Sequence, residues 1–170
     1  KYYRLIIKQG FLHEGIFSNL AAILKTQGKL IEAEKTIRKA IEINPNYVNS
    51  HYSLATLLAE LGRINEAEIY LRKTIELRPN FAEAYNKLSI ILAALGKLEE
   101  AKESQLKCIE IKPNELHYIS FLIKILLGLY DWDAIEVYLP YIKLLGIEGK
   151  AIDEPLTLMY LEDDPKKHLE

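Results

Sequence analysis

The sequence predicts an all-α chain built as a stack of short antiparallel helix pairs. Three observations predict it. Glycine returns at a fixed interval of 34 residues, at Gly28, Gly62 and Gly96. A Pro-Asn pair keeps the same beat, at Pro45-Asn46, Pro79-Asn80 and Pro113-Asn114. Between them apolar residues recur at helical spacing, with Leu20, Leu54, Leu88 and Leu122 in one column and Leu24, Leu58, Leu92 and Leu126 in another. A fixed period of this length marks a repeat architecture, in which each unit buries its apolar face against its neighbours.

The first helix of the first unit is predicted over Glu14–Gln27, with counterparts over Val48–Leu61 and Ala82–Leu95. Phe17, Leu20, Ala21 and Leu24 stand at i, i+3, i+4 and i+7 and give it one buried face. The recurrent glycine lies just past the helix end, where the chain needs a left-handed residue and glycine carries no Cβ penalty. The second helix begins at Leu30, Ile64 and Leu98, and its small residue (Ala33, Ala67, Ala101) lets the two backbones approach. It stops before Pro-Asn because proline lacks an N–H and disfavours helical geometry in the residue before it.

A fourth copy, from Leu116 to about Leu145, is degenerate: the glycine column holds Tyr130 and the alanine column Ile135. Pro140 falls inside its second helix and is expected to kink or shorten it. Trp132 shares the column of Leu30, Ile64 and Leu98, so it is expected to pack. Upstream of Gly10, Tyr2, Tyr3, Leu5 and Ile6 read as the second helix of a preceding repeat. The expected organisation is therefore residues 1–13 as the end of that repeat and three full repeats over 14–47, 48–81 and 82–115. A degenerate repeat over 116–150 follows, then a connector or the start of a further helix over 151–170.

Composition narrows the function classes. The 170 residues are 49% hydrophobic and 27% charged, enough to bury a core, which argues against a disordered tail or a membrane protein. A net charge of −2 makes a field too weak to recruit nucleic acid or anionic lipid. The longest apolar stretch, Ile119 to Tyr130, is broken by Lys124 and falls far short of the roughly 20 residues a bilayer requires. Leu5 to Ile7 is too short for the core of a signal peptide. Cys108 stands alone, with no thiol partner for a disulfide or a thiolate metal site. These absences lead to an expected cytoplasmic location. The start at Lys1 and the charged run into Glu170 lead to the expectation of a piece of a longer chain.

The columns resemble the tetratricopeptide repeat family. The first copy shows Phe17-x-x-Leu20-Ala21, Leu24, Gly28, Ala33, Ile37, Ala40 and Pro45. The third shows Tyr85, Leu88-Ser89, Leu92, Gly96, Ala101, Gln105, Cys108 and Pro113. The second departs at His51, where an aromatic is usual, and at Thr74, where alanine is usual. The resemblance implies a right-handed α-solenoid of about nine helices whose first helices line a concave groove. On that face it places Ser18, Asn19, Ala22 and Lys25, then Asn49, Tyr52, Ser53, Thr56 and Glu60. Glu83, Asn86, Lys87 and Ile90 follow, and then His117, Ser120, Phe121 and Lys124.

This mixed lining of amides, hydroxyls and charges of both signs fits an extended peptide and has no dominant charge. The family's Lys, Asn and Arg clamp for acidic chaperone tails is absent, since the corresponding positions hold Ser18, Ala22, Ser53, Glu83 and Lys87. The asparagine ladder of O-linked N-acetylglucosamine transferase survives only at Asn19, followed by Ser53, Lys87 and Phe121. The tail runs through Asp131-Trp132-Asp133, Leu139-Pro140, Gly146–Lys150, Pro155–Met159 and Asp163-Asp164-Pro165. It resembles the junction where repeats meet the catalytic domain in bacterial SPINDLY-type and related transferases.

Catalysis within the chain is not expected. His13, His51, His117 and His168 are scattered over different repeats, and Cys108 sits in a small packing column. The recurrent glycines are helix caps and make no phosphate loop, and Asp163-Asp164 reads as a helix start. Glu34 with Arg38 and Glu68 with Arg72 are i,i+4 pairs expected on outward faces. The expected function is a non-catalytic interaction module that needs no metal or cofactor and binds a protein or peptide. Its expected binding residues are Asn19, Lys25, Asn49, Tyr52, Asn86, Lys87 and Lys124. Two alternatives follow from the same sequence. One is the acceptor-recognition arm of a glycosyltransferase whose catalytic domain lies beyond residue 170. The other is a homo-oligomerisation element, with the apolar run Tyr2 to Ile7 as an uncapped end.

Overall fold

The computed structural model describes residues 13–148. Among them are eight α-helices and no strand: α1 Glu14–Thr26, α2 Leu30–Ile43, α3 Val48–Glu60, α4 Ile64–Leu77, α5 Ala82–Ala94, α6 Leu98–Ile111, α7 Leu116–Leu129 and α8 Trp132–Glu148. The fold class is the all-α stack of helix pairs that the 34-residue period predicts. The expected upstream helix before Gly10 and the connector over 151–170 lie outside the described residues, as do Tyr2–Ile7, Asp163-Asp164 and His168. The chain divides into two compact units, residues 1–91 and 92–170. In the first, α1 packs on α2, α3 on α4, and α3 also on both α1 and α2. In the second, α7 packs on α6 and on α8.

Each helix pair turns through one corner of constant geometry. Gly28, Gly62 and Gly96 have φ of 72°, 76° and 75°. The glycine N–H donates to the carbonyl three residues back, from Gly28 to Lys25 at 2.9 Å. The next N–H reaches one residue deeper, from Lys29 to Leu24 at 2.9 Å, Arg63 to Leu58 at 2.9 Å and Lys97 to Leu92 at 2.9 Å. These two bonds satisfy carbonyls that the helix end leaves open. The fourth copy makes the same corner without glycine. Tyr130 takes φ 56°, and Asp131 donates to Leu126 at 3.0 Å. A side chain at positive φ is strained, and the Tyr130 ring, 77% exposed, recovers little of that by burial.

The columns read from the sequence form the core. Ala33, Ala67 and Ala101 are fully buried, and so are Ala40, Thr74 and Cys108. Thr74 satisfies its hydroxyl on the carbonyl of Tyr70, 2.7 Å away. His51 is 5% exposed, and its Nε2–H donates to the carbonyl of Pro45 at 2.7 Å, which ties the Pro-Asn corner to α3. Gln105, fully buried in the column of Ile37 and Leu71, donates through Nε2 to the carbonyl of Tyr118 at 2.8 Å. In the second unit Trp132 packs against Ile119, Leu122, Ile123, Leu126 and Ile135. It fills the place that its column assigns it.

Two expectations need correction. Pro140 does not shorten its helix: α8 has 17 residues, against 14 in α2, α4 and α6. Pro140 lies on the exposed side of the helix, as does Glu136 four residues earlier. The Glu34–Arg38 pair does form, at 2.8 Å, but it does not mark a solvated face. The Glu34 side chain is only 12% exposed because Arg63 of the next helix pair also binds it, at 2.7 Å. Arg63 grips Glu66 through two bonds of 2.6 Å, and Arg38 donates to the Tyr70 hydroxyl at 3.0 Å. The second unit makes the same contact with the charges exchanged. Lys102, in the column of Glu34, meets Asp131, in the column of Arg63, at 2.7 Å. Asp131 also accepts the N–H of Ala134 at 3.2 Å and so caps α8.

Burial pushes the Glu34 carboxyl up, but the hydrogen bonds and charges of Arg38 and Arg63 outweigh it and hold the group below its ordinary value of 4.5. A carboxylate lowered in the folded state contributes stability above that ordinary value, and the contribution is lost as pH falls through the lowered one. Glu34→Gln is therefore expected to lower Tm by a few degrees at neutral pH and to flatten the decline on acidification. Melting curves across a pH series check this, and parallel profiles for the two proteins would contradict it. Tyr130→Gly should stabilise the chain by about 1 kcal/mol through relief of left-handed strain. Gly62→Ala, at a site where a Cβ meets nothing within 4 Å, should destabilise it by about 1 kcal/mol in urea unfolding.

Candidate interaction site

The first helices present the residues expected to bind. On α1, the Oγ atoms of Ser18 and buried Ser50 lie 2.9 Å apart, which joins α1 to α3 near their N-terminal ends. One turn pair further along, the Lys25 Nζ meets Glu60 Oε1 at 2.6 Å. These two contacts set the side of α1 that faces α3. Asn19 stands one residue beyond Ser18 and is exposed, and Asn49 is exposed in the first turn of α3.

Tyr52 is half-buried. Its ring packs on Phe81 with centroids 4.9 Å apart and planes tilted by 42°. Arg78 lies over Phe81 at 5.1 Å, so the Pro-Asn corner before α5 supports the tyrosine. Burial, and after it the nearby Glu83 carboxylate, push the Tyr52 phenol up. Asn86 and Lys87 are half-buried on α5. Six of the seven expected residues thus belong to the first unit. Lys124, half-buried on α7, belongs to the second.

The sequence reading missed the supporting contacts. Ser18 was expected to line a groove, yet its hydroxyl pairs with Ser50. Lys25 was expected as a ligand-binding cation, yet it holds an internal partner. The available signal was a lysine and a glutamate 35 residues apart, one turn position off the 34-residue beat. Among the described residues no group of three or more His, Cys, Asp or Glu could hold a metal ion. No helix among them is long and apolar enough to cross a membrane.

Fold and surface together define a helical-repeat interaction protein. The tetratricopeptide repeat family matches over residues 13–80 and again over 82–115, together more than half of the chain. The chain belongs to that family. No curated protein sequence matches it. Among solved structures, the first repeat domain of Spaghetti (RPAP3), bound to the HSP90 peptide SRMEEVD, is similar with a TM-score of 0.67 and 25% identity, over 69% of this chain and 93% of that one. MamA from Desulfovibrio magneticus RS-1 is similar with a TM-score of 0.77 and 17% identity, over 88% and 85% of the two chains. A mutant O-GlcNAc transferase of Thermobaculum terrenum is similar with a TM-score of 0.61 and 23% identity. That match covers 66% of this chain and 22% of the transferase, and at this identity it carries the fold alone.

Single substitutions should separate structural from exposed positions. Asn19→Ala and Asn49→Ala should each change stability by less than about 0.5 kcal/mol. Lys25→Ala should do the same, since an ion pair with side chains 37% and 49% exposed is weak in water. Ser50→Ala, which leaves Ser18 without its partner, should cost about 1 kcal/mol. Urea titration of the four variants checks the division.

Proposed function

We propose that the chain binds an extended peptide or a peptide-like segment of a protein partner on the first-helix face, with repeat units over 14–47, 48–81, 82–115 and 116–150. The residues proposed to carry binding are Asn19, Lys25, Asn49, Tyr52, Asn86 and Lys87 on the first unit; Lys124 is proposed separately, on the second unit by itself. The observation that carries this reading is the pair of exposed amides, Asn19 and Asn49, on two helices joined by the Ser18–Ser50 contact. A side-chain amide both donates and accepts, so it can meet a peptide backbone unit at two points. Because the helices are already packed, binding orders only the peptide. Membership of the repeat family and the peptide held by the Spaghetti domain support the same reading. The transferase-arm alternative rests on the string from Asp131 to Pro165, of which the part beyond residue 148 lies outside the described residues.

Asn49→Ala combined with Lys87→Glu is expected to weaken partner binding about tenfold or more while thermal melting stays unchanged. Isothermal titration alongside a melting curve checks this. If Tm falls in parallel with affinity, those residues are structural, and this reading of them fails.

A further inference from the structure

Three side chains at the junction of α3 and α5 form one stack. The Arg78 guanidinium lies 5.1 Å from the centre of the Phe81 ring, and that ring meets Tyr52 with centroids 4.9 Å apart. A cation over a ring face and a tilted pair of rings are both attractive arrangements. Phe81 is also fixed through its backbone. Its carbonyl accepts the N–H of Ala84 at 3.0 Å and of Tyr85 at 3.3 Å, and so opens α5. A ring carried on a helix start is a firm support, and Tyr52, only half-buried, keeps part of its own ring open.

The repeat separates this stack from what the fold itself requires. Features that every repeat needs return at 34 residues, as the left-handed corner and the buried alanine column do. The stack does not return. Tyr52 shares its column with Ser18, Asn86 and Ser120, Phe81 with Tyr47 and Glu115, and Arg78 with Asn44 and Lys112. The helix pairs therefore pack without it elsewhere in the same chain. On α3 the exposed Asn49 stands three residues before Tyr52, about 4.5 Å along the helix and on the same side. An extended chain rises about 3.3 Å per residue, so a segment running along α3 with its backbone at Asn49 sets a neighbouring side chain against the ring.

We propose that Tyr52 is the seat for an apolar side chain of the bound segment, next to the backbone unit that Asn49 holds. Phe81, supported by Arg78, is a positioning residue that acts through Tyr52. The proposal rests on the first-helix face being the binding surface, and it adds two residues that lie outside the expected binding set.

The test uses the full chain against a phage-displayed library of short random peptides, with the tightest selected peptide carried into isothermal titration. The binders are expected to share an apolar residue at one position, and its replacement by serine to cost about tenfold in affinity. Tyr52→Ala and Phe81→Leu should each lose about tenfold, while Phe81→Tyr keeps the full affinity. Tyr52→Ala combined with Phe81→Leu should bind no worse than Tyr52→Ala alone, because Phe81 acts only through the ring it holds. Arg78→Ala, a change at an exposed residue, should weaken binding about threefold with Tm unchanged, which keeps the test open if Phe81→Leu melts early. Losses that add in the double variant, or full affinity in both Phe81→Leu and Arg78→Ala, would overturn the positioning role and leave the face reading standing. Binders that share no apolar residue would overturn the seat. Binders indifferent to Asn49→Ala and Tyr52→Ala, or no binders at all, would overturn the face reading and the proposal with it.

Discussion

The left-handed corner after each first helix is the constraint on which the rest of the structure depends. One residue at positive φ lets two successive N–H groups turn back onto the helix just ended, and the second helix then starts antiparallel within three residues. The alanine column is buried because that corner brings the second helix close. The position matters more than the residue, since Tyr130 adopts the same conformation and makes the same two bonds as the glycines. What the fourth copy loses in backbone ease it offsets in part through Asp131, which caps the helix that follows. The three earlier second helices have Lys29, Arg63 and Lys97 at that place and no side-chain cap.

From the corners follows the contact between successive pairs. The residue just past the corner, Arg63 or Asp131, reaches the second helix of the preceding pair and meets a charge of opposite sign there. The polarity is reversed between the first and second units, while the offset of 29 residues and the distance of 2.7 Å are the same. Charge complementarity is therefore a property of the contact and is met by either sign. With the second helices joined by these pairs and the apolar columns buried between helices, the outer residues of α1, α3 and α5 are left to other work.

Much of this was legible in the sequence, because the period exposes any position needed by every repeat. The helices end one residue earlier than predicted, at Thr26, Glu60 and Ala94, because Gln27, Leu61 and Leu95 belong to the turn. Contacts between repeats were harder to read. Glu34 looks like half of an outward i,i+4 pair until Arg63, 29 residues on, is placed beside it. Lys25 looks like an unpaired cation until Glu60 is placed beside it. Pro140 lies inside a helix of 17 residues, so the shortening expected of it is not found.

Amide hydrogen exchange at the residue after each corner tests the account most directly. The N–H groups of Lys29, Arg63, Lys97 and Asp131 lie in turns, yet each donates to a carbonyl in the last turn of a first helix. If these bonds hold the helix pairs together, the four amides exchange as slowly as those in the middle of α3, since they open only when the pair does. Exchange at the rate of a solvated turn, with the helices still protected, would contradict the claim that the corners hold the stack.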